Sequence, residues 1–265
     1  MRIFTVLLAA FLMVGTAMAA DIARGPEVVE GVDQGYVDQN NRGNILIVNI
    51  LEDTFTDVSG VYQTGLENMG HTVNVIYDPM GAWGTTSDYD AIFFLSSDNW
   101  WTSYNYSADM ATAAAYVDGG GCLFAIGQDM LYGGGTTVYN FVTSYCGVVD
   151  VIEDVVFPGY MMDWEGTVGG PLEGVSEPGY VPCFTGNDWY TDEVFPASQG
   201  VVTYTMTDPP YGPAEGGSLA DALFSTVEFG CTNFPDSVIP ALMEFCGGAT
   251  PAEDASWGSI KGQFK

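Results

Sequence analysis

Short apolar runs and amphipathic stretches alternate along most of the chain. Near-continuous apolar runs are typical of strands covered on both faces, and they predict strands over 44–50, 72–77, 91–95 and 122–126. The segments between them carry apolar residues at helical spacing and mostly end at glycine, which predicts helices. Alternating strands and helices of these lengths favour right-handed βαβ units and a parallel sheet.

The predicted helices begin at residues that can cap a helix N-terminus. The candidate caps are Thr56 or Asp57, Ser107, Thr136 or Thr137, and, for a last helix, Asp236 or Ser237. Between 148 and 200 the rhythm breaks, and a segment rich in Gly, Pro and acidic residues predicts a β-like insertion. Strand character resumes over 201–206 and 223–229. The pattern as a whole predicts an α/β fold with a mostly parallel sheet.

The two ends of the chain differ in composition from this domain. Residues 1–19 combine a positive start, an apolar run and small residues at Ala17 and Ala19, a pattern typical of a cleavable secretory signal. The apolar run is shorter than the roughly 20 residues that a transmembrane helix needs. We therefore expect a secreted protein, extracellular, at the cell surface or periplasmic, without membrane insertion. It would have a lead over 20–42, one domain over 43–248, and a linker and tail over 249–265.

The charge balance limits the partners. The chain has 34 Asp and Glu residues against 5 Lys and Arg, a net charge of −29, and no Lys or Arg lies between Arg42 and Lys261. A domain without cationic side chains cannot clamp phosphates or release counterions from a nucleic acid. We therefore expect no nucleic acid partner. The acidity serves either solubility in a saline or calcium-rich medium or a dedicated cation-binding role.

The five cysteines allow disulfides in an exported protein, and their odd number leaves at least one unpaired. They are Cys122, Cys146, Cys183, Cys231 and Cys246. Because Cys122 and Cys146 fall inside a predicted strand and helix, each is expected to be a buried free thiol. The connectivity of the others stays open.

Three segments carry a resemblance to a known family. The most specific is Tyr116–Asp129, with the sequence YVDGGGCLFAIGQD; the others are the acidic turn Leu51–Thr54 before Gly70-His71, and Thr226–Phe229 before the last helix. Together they resemble the class I glutamine amidotransferase-like superfamily, and more narrowly a domain of secreted bacterial surface proteins. The resemblance implies a three-layer, flavodoxin-like fold.

The same resemblance implies a fold without amidotransferase chemistry. Working members of the family place a nucleophilic Cys on the turn after the strand that here ends at Ile126. That turn holds Gly127 and Gln128, and the only histidine, His71, precedes the second strand. Because a nucleophile and its base must be within hydrogen-bond reach, we expect a pseudoenzyme.

Loops at the carboxyl ends of the strands hold the candidate site residues, since ligands of such sheets bind there. Asp53, Asp98 and Asp129 would converge on one rim and supply the oxygen ligands that calcium prefers. The alternative is that these are solvated acids or helix caps.

Aromatic residues are dense on the same rim. Trp100, Trp101, Tyr104 and Tyr106, with the amide of Gln128, would suit stacking on a sugar ring or binding a protein partner. The alternative is that they pack over the insertion or the edge of the sheet.

These features predict a secreted, non-catalytic binding or assembly module. One alternative is a carboxylate- or metal-dependent hydrolase of glycan or peptide, with Asp98 and Asp129 as its acids and Asp188 as a further candidate. The other is a structural protein whose acidity gives only solubility. The tail over 256–265, which holds both lysines of the chain, would be a sorting signal, a segment that docks on its own domain, or a frayed terminus.

Overall fold

A computed structural model of the chain describes residues 43–51, 57–98, 104–128, 130–152, 162–180, 191–198, 200–206, 214–231 and 235–246. Within these ranges no helix is long and apolar enough to cross a membrane.

The described residues form strands in three sheets and four α-helices, with short 3₁₀ turns at Thr86–Asp88 and Phe229–Cys231. The strands are β1 (Asn44–Asn49), β2 (Thr72–Tyr77), β3 (Ala91–Asp98), β4 (Cys122–Gln128), β5 (Val148–Ile152), β6 (Met162–Gly166), β7 (Ser176–Tyr180), β8 (Glu193–Pro196), β9 (Val201–Val202), β10 (Tyr204–Met206), β11 (Ala214–Glu215), β12 (Gly217–Leu219) and β13 (Leu223–Ser225). The helices are α1 (Ser59–Asn68), α2 (Ser107–Asp118), α3 (Met130–Tyr145) and α4 (Pro235–Phe245).

The largest sheet has seven strands in the order β2-β1-β3-β4-β13-β12-β9. The first five are parallel, and β12 and β9 extend the sheet with antiparallel pairs. The order of the parallel part is that of a flavodoxin-like doubly wound sheet, in which the chain changes direction between the first and third strands. The predicted α/β fold with a mostly parallel sheet is therefore confirmed.

Two hydrophobic cores cover the two faces of this sheet. Alternate residues of each central strand point to opposite faces: Ile47 and Phe93 join one core with α1 and α4, whereas Val48 and Phe94 join the other with α2 and α3. This arrangement explains the near-continuous apolar runs, because strands buried on both faces need apolar residues at every position. The result is a three-layer α/β/α structure.

A four-stranded antiparallel sheet, β11-β10-β6-β7, packs on the side of α1 and α4. Its buried rings Trp164 and Tyr204 meet Phe229, with ring centroids 5.5–5.8 Å apart. The stretch 201–206, predicted as one strand, is two strands in different sheets. Thr203 separates them: its N–H donates to Gly217 O of the large sheet, and its carbonyl accepts from Thr167 N after β6.

Several boundaries differ from the predicted ones. The strand expected over 223–229 ends at Ser225, and α3 starts at Met130 rather than at Thr136 or Thr137. A non-helical residue, Gly135 (φ 52°, ψ −142°), divides α3 into two parts, and the second part begins where the helix was predicted. Ser107 is the first residue of α2 rather than its cap; its N–H donates to Asn105 Oδ1.

The cysteines correct one prediction. Cys122 is not a free thiol: it forms a disulfide with Cys246, with Cα atoms 6.0 Å apart. The bond joins the start of β4 to the residue after α4 and closes a loop of 124 residues. The physical reason is that α4 packs antiparallel to the strands and brings its end to the start of β4. Cys146, in contrast, is buried and free as predicted.

Candidate functional site

The carboxyl ends of β1, β3 and β4 form one edge of the sheet, which we call the carboxyl edge. In a flavodoxin-like sheet, ligands bind where the chain switches direction, between the first and third strands. Asn49 ends β1, Ser96 lies near the end of β3, and Gln128 ends β4. All three side chains are buried although they are polar.

Each of these side chains has a polar atom without a hydrogen-bond partner among the described residues. The atoms are Asn49 Oδ1, Ser96 Oγ and Gln128 Nε2. Buried polar atoms are nearly always paired, and leaving one unpaired costs about 1–3 kcal/mol. Three such atoms on adjacent strands, at the edge where ligands of doubly wound sheets bind, make the carboxyl edge a candidate site for a polar ligand. Trp164 Nε1, Thr167 Oγ1 and Thr203 Oγ1, in or beside the antiparallel sheet, also lack partners among the described residues.

A β-bulge places the Ser96 hydroxyl against β4. The register between β3 and β4 shifts between Leu95 and Ser97, so Ser96 is the extra residue. Bulges re-aim side chains and are frequent next to active sites. A Cβ on Gly127 would lie 1.9 Å from Ser96 Oγ; only glycine therefore fits beneath this hydroxyl. Gly127 lies within β4, which extends two residues beyond the predicted strand end at Ile126.

The start of α1 is organised by Asp57. Its Oδ1 accepts from Asn49 Nδ2 at 2.7 Å, from Ser59 N at 2.9 Å and from Ser59 Oγ at 2.6 Å. Asp57 was one of the two predicted caps, and it binds the first turn of α1 although Val58 occupies the N-cap position. The hydrogen bond to Asn49 holds that amide in place, so its free Oδ1 has a defined orientation.

A buried carboxylate, Glu228, follows the end of β13. Its Oε1 accepts from Tyr62 Oη of α1 at 2.7 Å and from Gly230 N at 3.0 Å. These bonds tie the loop after β13 to α1 on the same face of the sheet as Asn49. On the α1 side, the carboxyl edge is therefore bordered by a loop that hydrogen bonds hold in place.

On the opposite face, the buried Asp109 of α2 fixes the loop after β2. Its Oδ1 accepts from Gly81 N at 2.8 Å and from Trp83 Nε1 at 2.6 Å. Its Oδ2 accepts from Tyr104 Oη at 2.7 Å, and Tyr104 Oη in turn accepts from Met80 N at 2.9 Å. Met80 has φ 46°, an uncommon conformation for a non-glycine residue, so these bonds hold a strained loop beside the carboxyl edge.

The structure places the predicted aromatic residues as follows. Tyr104 and Tyr106 are buried in the core on the α2 side, with their ring centroids 5.1 Å apart. Burial makes the largest contribution to the raised pKa of Tyr104, and the hydrogen bond to Asp109 raises it further. Their rings therefore pack in the interior and offer no stacking surface. Trp100 and Trp101 lie outside the described residues, and the ligand-binding prediction for this loop now depends on them.

The predicted acidic residues are placed only in part. Asp53 and Asp129 lie outside the described residues, and for Asp98 the backbone alone is described, at the end of β3. In the described part of the chain, no group of three or more His, Cys, Asp or Glu residues could hold a metal ion. The calcium site at Asp53, Asp98 and Asp129 stays a prediction.

The two residues that most often serve nucleophilic catalysis lie away from the carboxyl edge. His71 is at the opposite edge, where its Nδ1 accepts from Gly43 N at 3.1 Å, and burial lowers its pKa. Cys146 follows α3, and complete burial raises the pKa of its thiol. A raised pKa keeps a thiol protonated and unreactive.

Of the residues at the candidate site, Gln128 was predicted from the sequence, whereas Asn49, Ser96 and Asp109 were not. A signal existed for two of them: Asn49 and Ser96 are the first polar residues after the apolar runs of β1 and β3. Asp109 had none, because an acid in the first turn of a helix is usually a solvated residue near the positive end of the helix dipole.

Comparison with known proteins supports the fold. No family model matches the sequence, and no curated protein matches it. A solved structure of a ThuA-like protein from Parabacteroides merdae is similar over 80% of this chain and 93% of that chain, with 12% identity and a TM-score of 0.53. PurLQS from Thermotoga maritima is similar over 76% of this chain and 98% of that chain, with 9% identity and a TM-score of 0.48.

At 12% identity the first similarity shows the fold alone. It agrees with the strand order and with the three layers described above. The chain therefore has a three-layer, flavodoxin-like α/β fold that is similar to that of the ThuA-like protein.

Proposed function

We propose that this protein is a secreted, non-catalytic binding or assembly module that binds a neutral polar ligand, such as a glycan, at its carboxyl edge. It would act at the cell surface or in the extracellular space, as a bacterial relative of the amidotransferase-like enzymes without their catalytic Cys and His. The observation that carries the proposal is the set of buried atoms Asn49 Oδ1, Ser96 Oγ and Gln128 Nε2, which have no partners among the described residues. A ligand that pairs with them would offset the cost of their burial.

The chemistry of these atoms supports a neutral ligand. An amide oxygen accepts, an amide nitrogen donates, and a hydroxyl does either, so the set complements sugar hydroxyls, which also do both. An anionic ligand would meet a protein of net charge −29 whose residues 43–260 contain no Lys or Arg. Trp100 and Trp101, in the loop after β3, would add the stacking surface that sugar rings prefer.

Two observations argue against an amidotransferase-type reaction. The end of β4 consists of Gly127 and Gln128, neither of which is a nucleophile, and Gly127 has no room for a side chain beneath Ser96. The only histidine of the chain is bound to the amide of Gly43 at the other edge of the sheet. A base must lie within hydrogen-bond reach of its nucleophile.

The disulfide between Cys122 and Cys246 supports secretion. Disulfides persist in oxidising compartments and are rare in the cytosol. This is consistent with the signal sequence predicted over residues 1–19.

The test is a titration of the mature protein with a panel of neutral soluble oligosaccharides by isothermal calorimetry. We expect at least one to bind, and the variants Gln128→Met and Trp100→Ala to weaken its binding about tenfold or more. The variant Gln63→Met is the matched control, since Gln63 is half-buried on α1, away from the carboxyl edge, and its side chain bonds Glu67. Equal binding by all three variants would place the ligand elsewhere and overturn the proposal.

The alternative functions have their own outcomes. Turnover of a glycan or peptide that Asp129→Asn abolishes without unfolding the protein would indicate a carboxylate-dependent hydrolase. A saturable thermal shift with calcium that is lost in Asp53→Asn, Asp98→Asn or Asp129→Asn would establish the metal site. A bound ligand at 100 times its dissociation constant adds about 2.7 kcal/mol to the free energy of unfolding.

A further inference from the structure

An apolar surface surrounds the kink in α3, on the side of the molecule away from α1 and α4. It is formed by the exposed side chains Tyr132 (58% exposed), Tyr139 (37%), Val149 (56%) and Ile152 (50%), and we call it the α3–β5 patch. Tyr139 Oη lies 3.5 Å from the carbonyl of Val149, so α3 and β5 are in contact within this patch. Large exposed apolar side chains grouped in this way mark an interaction surface.

A pocket opens between α3 and β5 beside Tyr139. It encloses about 410 Å³ and is lined by Leu131, Gly135, Thr136, Tyr139 and Val151. The pocket exists because Gly135 leaves the helical conformation and interrupts α3. Its volume lies within the range of ligand pockets, about 300–1,000 Å³, and is sufficient for an aromatic side chain.

Acidic residues border the patch. Asp150 is exposed between Val149 and Val151, and Glu193 of β8 pairs with Ile152 of β5. Glu193 also lies near Glu215, whose pKa is raised by burial and by the charge of Glu193. Since the domain from 43 to 260 contains no Lys or Arg, the cations available to these acids come from the two ends of the chain.

The segment from Ser256 to Lys265 has the complementary properties. Trp257, Ile260 and Phe264 follow the i, i+3, i+7 spacing of one helix face, and Lys261 and Lys265 are adjacent to them on that face. An amphipathic helix of this type binds an apolar groove through such positions. These lysines are also the only two in the chain.

From these observations we infer that the segment Ser256–Lys265 docks on the α3–β5 patch of its own chain, with an aromatic side chain in the pocket and its lysines beside Asp150 and Glu193. The segment covers the apolar surface and partly neutralises the acids around it. This inference is independent of the proposed ligand site, because the patch lies on α3 and β5 rather than among Asn49, Ser96 and Gln128.

The linker is long enough for this docking. Cys246 is held by its disulfide to the start of β4, and Ser256 lies ten positions after it. An extended chain spans at most about 3.3–3.6 Å per residue, so this linker reaches about 33–36 Å. That reach is comparable to the diameter of a small domain, about 30 Å.

The test is a zero-length carbodiimide cross-link on the full mature chain, followed by peptide mapping. Apart from the N-terminus, Lys261 and Lys265 are the only amines of the chain, so the cross-links report directly where the segment lies. We expect links from these lysines to Asp150 or Glu193. The yield should fall about tenfold in Trp257→Ala and in Val149→Ser, which remove an apolar contact from either side.

Val168→Ser is the matched control, since Val168 is 83% exposed and belongs to the turn after β6; its yield should equal that of the unsubstituted chain. Links distributed over many acids, or yields unaffected by Val149→Ser and Trp257→Ala, would overturn the inference. A mixture of ¹⁵N-labelled and unlabelled protein distinguishes a second copy, because links between labelled and unlabelled peptides would mean docking between chains and would also overturn it.

Discussion

The two edges of the parallel sheet differ in whether their polar groups have hydrogen-bond partners. At the amino edge, Gly43 N donates to His71 Nδ1 at 3.1 Å and Asn44 N donates to Asp90 Oδ2 at 2.7 Å. The disulfide of Cys122 closes the same edge. At the carboxyl edge, the buried atoms Asn49 Oδ1, Ser96 Oγ and Gln128 Nε2 have no partners among the described residues.

This difference separates stability from binding. Paired polar groups and a covalent bond contribute to the free energy of folding, whereas unpaired buried atoms lower it. Proteins accept that cost where a ligand will complete the bonds, and a ligand of a doubly wound sheet binds at its carboxyl edge. Removing a paired group at the amino edge should therefore lower the stability, whereas removing an unpaired polar atom at the carboxyl edge should raise it.

The largest effect should come from the disulfide. Replacing both Cys122 and Cys246 with Ala should lower the free energy of unfolding by about 4 kcal/mol, because a bond that closes 124 residues restricts the unfolded chain strongly. Urea unfolding of the oxidised protein and the double variant measures this loss.

Cys146→Ala is the control for the loss of a buried sulfur. Cys146 is free and buried, so its replacement should cost only about 1 kcal/mol, the effect of a small cavity. If the double variant lost no more than the control, the disulfide would contribute nothing to stability.

The next effect concerns Gly127 at the carboxyl edge. Gly127→Ala should lower the free energy of unfolding by about 2–3 kcal/mol, since its Cβ would lie 1.9 Å from Ser96 Oγ and 3.0 Å from Ser96 Cβ. The loss should be smaller in a Ser96→Ala background, where only the contact with Cβ remains. The same substitution at Gly60 of α1, with nothing within 4 Å, should be neutral or stabilising. If the changes in the free energy of unfolding from Ser96→Ala and Gly127→Ala were additive, the Cβ at position 127 would not contact Ser96 Oγ.

Much of the fold could be predicted from the sequence, because its strands are buried on both faces. The predicted 72–77 is β2 at its full length, and 44–50 differs from β1 by one residue. The predicted element boundaries were wrong where local hydrogen bonds determine the path of the backbone. The strand from Leu223 stops early because Val227 N donates to Ser225 Oγ, and α3 begins early although Gly133–Gly135 disfavour a helix.

Less of the candidate site could be predicted. The position of Gln128 follows from the motif around Gly127, so it was found. Ser96 depends on a bulge, which comes from the register between β3 and β4, and a single sequence does not give the register. The burial of Tyr104 depends on Asp109, a contact between a loop and a helix turn that no periodicity indicates.

Removing an unpaired hydroxyl should raise the free energy of unfolding, by less than the disulfide and Gly127 substitutions lower it. Ser96→Ala should raise the free energy of unfolding by about 1 kcal/mol, because Ser96 Oγ is buried without a partner in the described structure. Ser218→Ala is the matched control: Ser218 Oγ is buried but donates to Cys146 O at 2.7 Å, so its removal should cost about 1–2 kcal/mol. Thermal and urea unfolding compare the two, and a loss of stability in both variants would mean that Ser96 has a partner.

The smallest effect should be the pH dependence of His71 at the amino edge. Burial lowers the pKa of His71 below its ordinary value of 6.5, although the amide of Gly43 and the charge of Asp90 oppose this. As the pH falls through 6.5, the unfolded chain therefore binds a proton that the folded chain still excludes, and stability is lost. His71→Gln keeps an acceptor for Gly43 N but cannot titrate in this range. The free energy of unfolding of the unsubstituted protein should therefore fall relative to that of the variant between pH 7.5 and 5.5. Because His71 is the only histidine, the difference between the two urea-unfolding curves isolates its contribution, and a constant difference would show that its pKa is the same in both states.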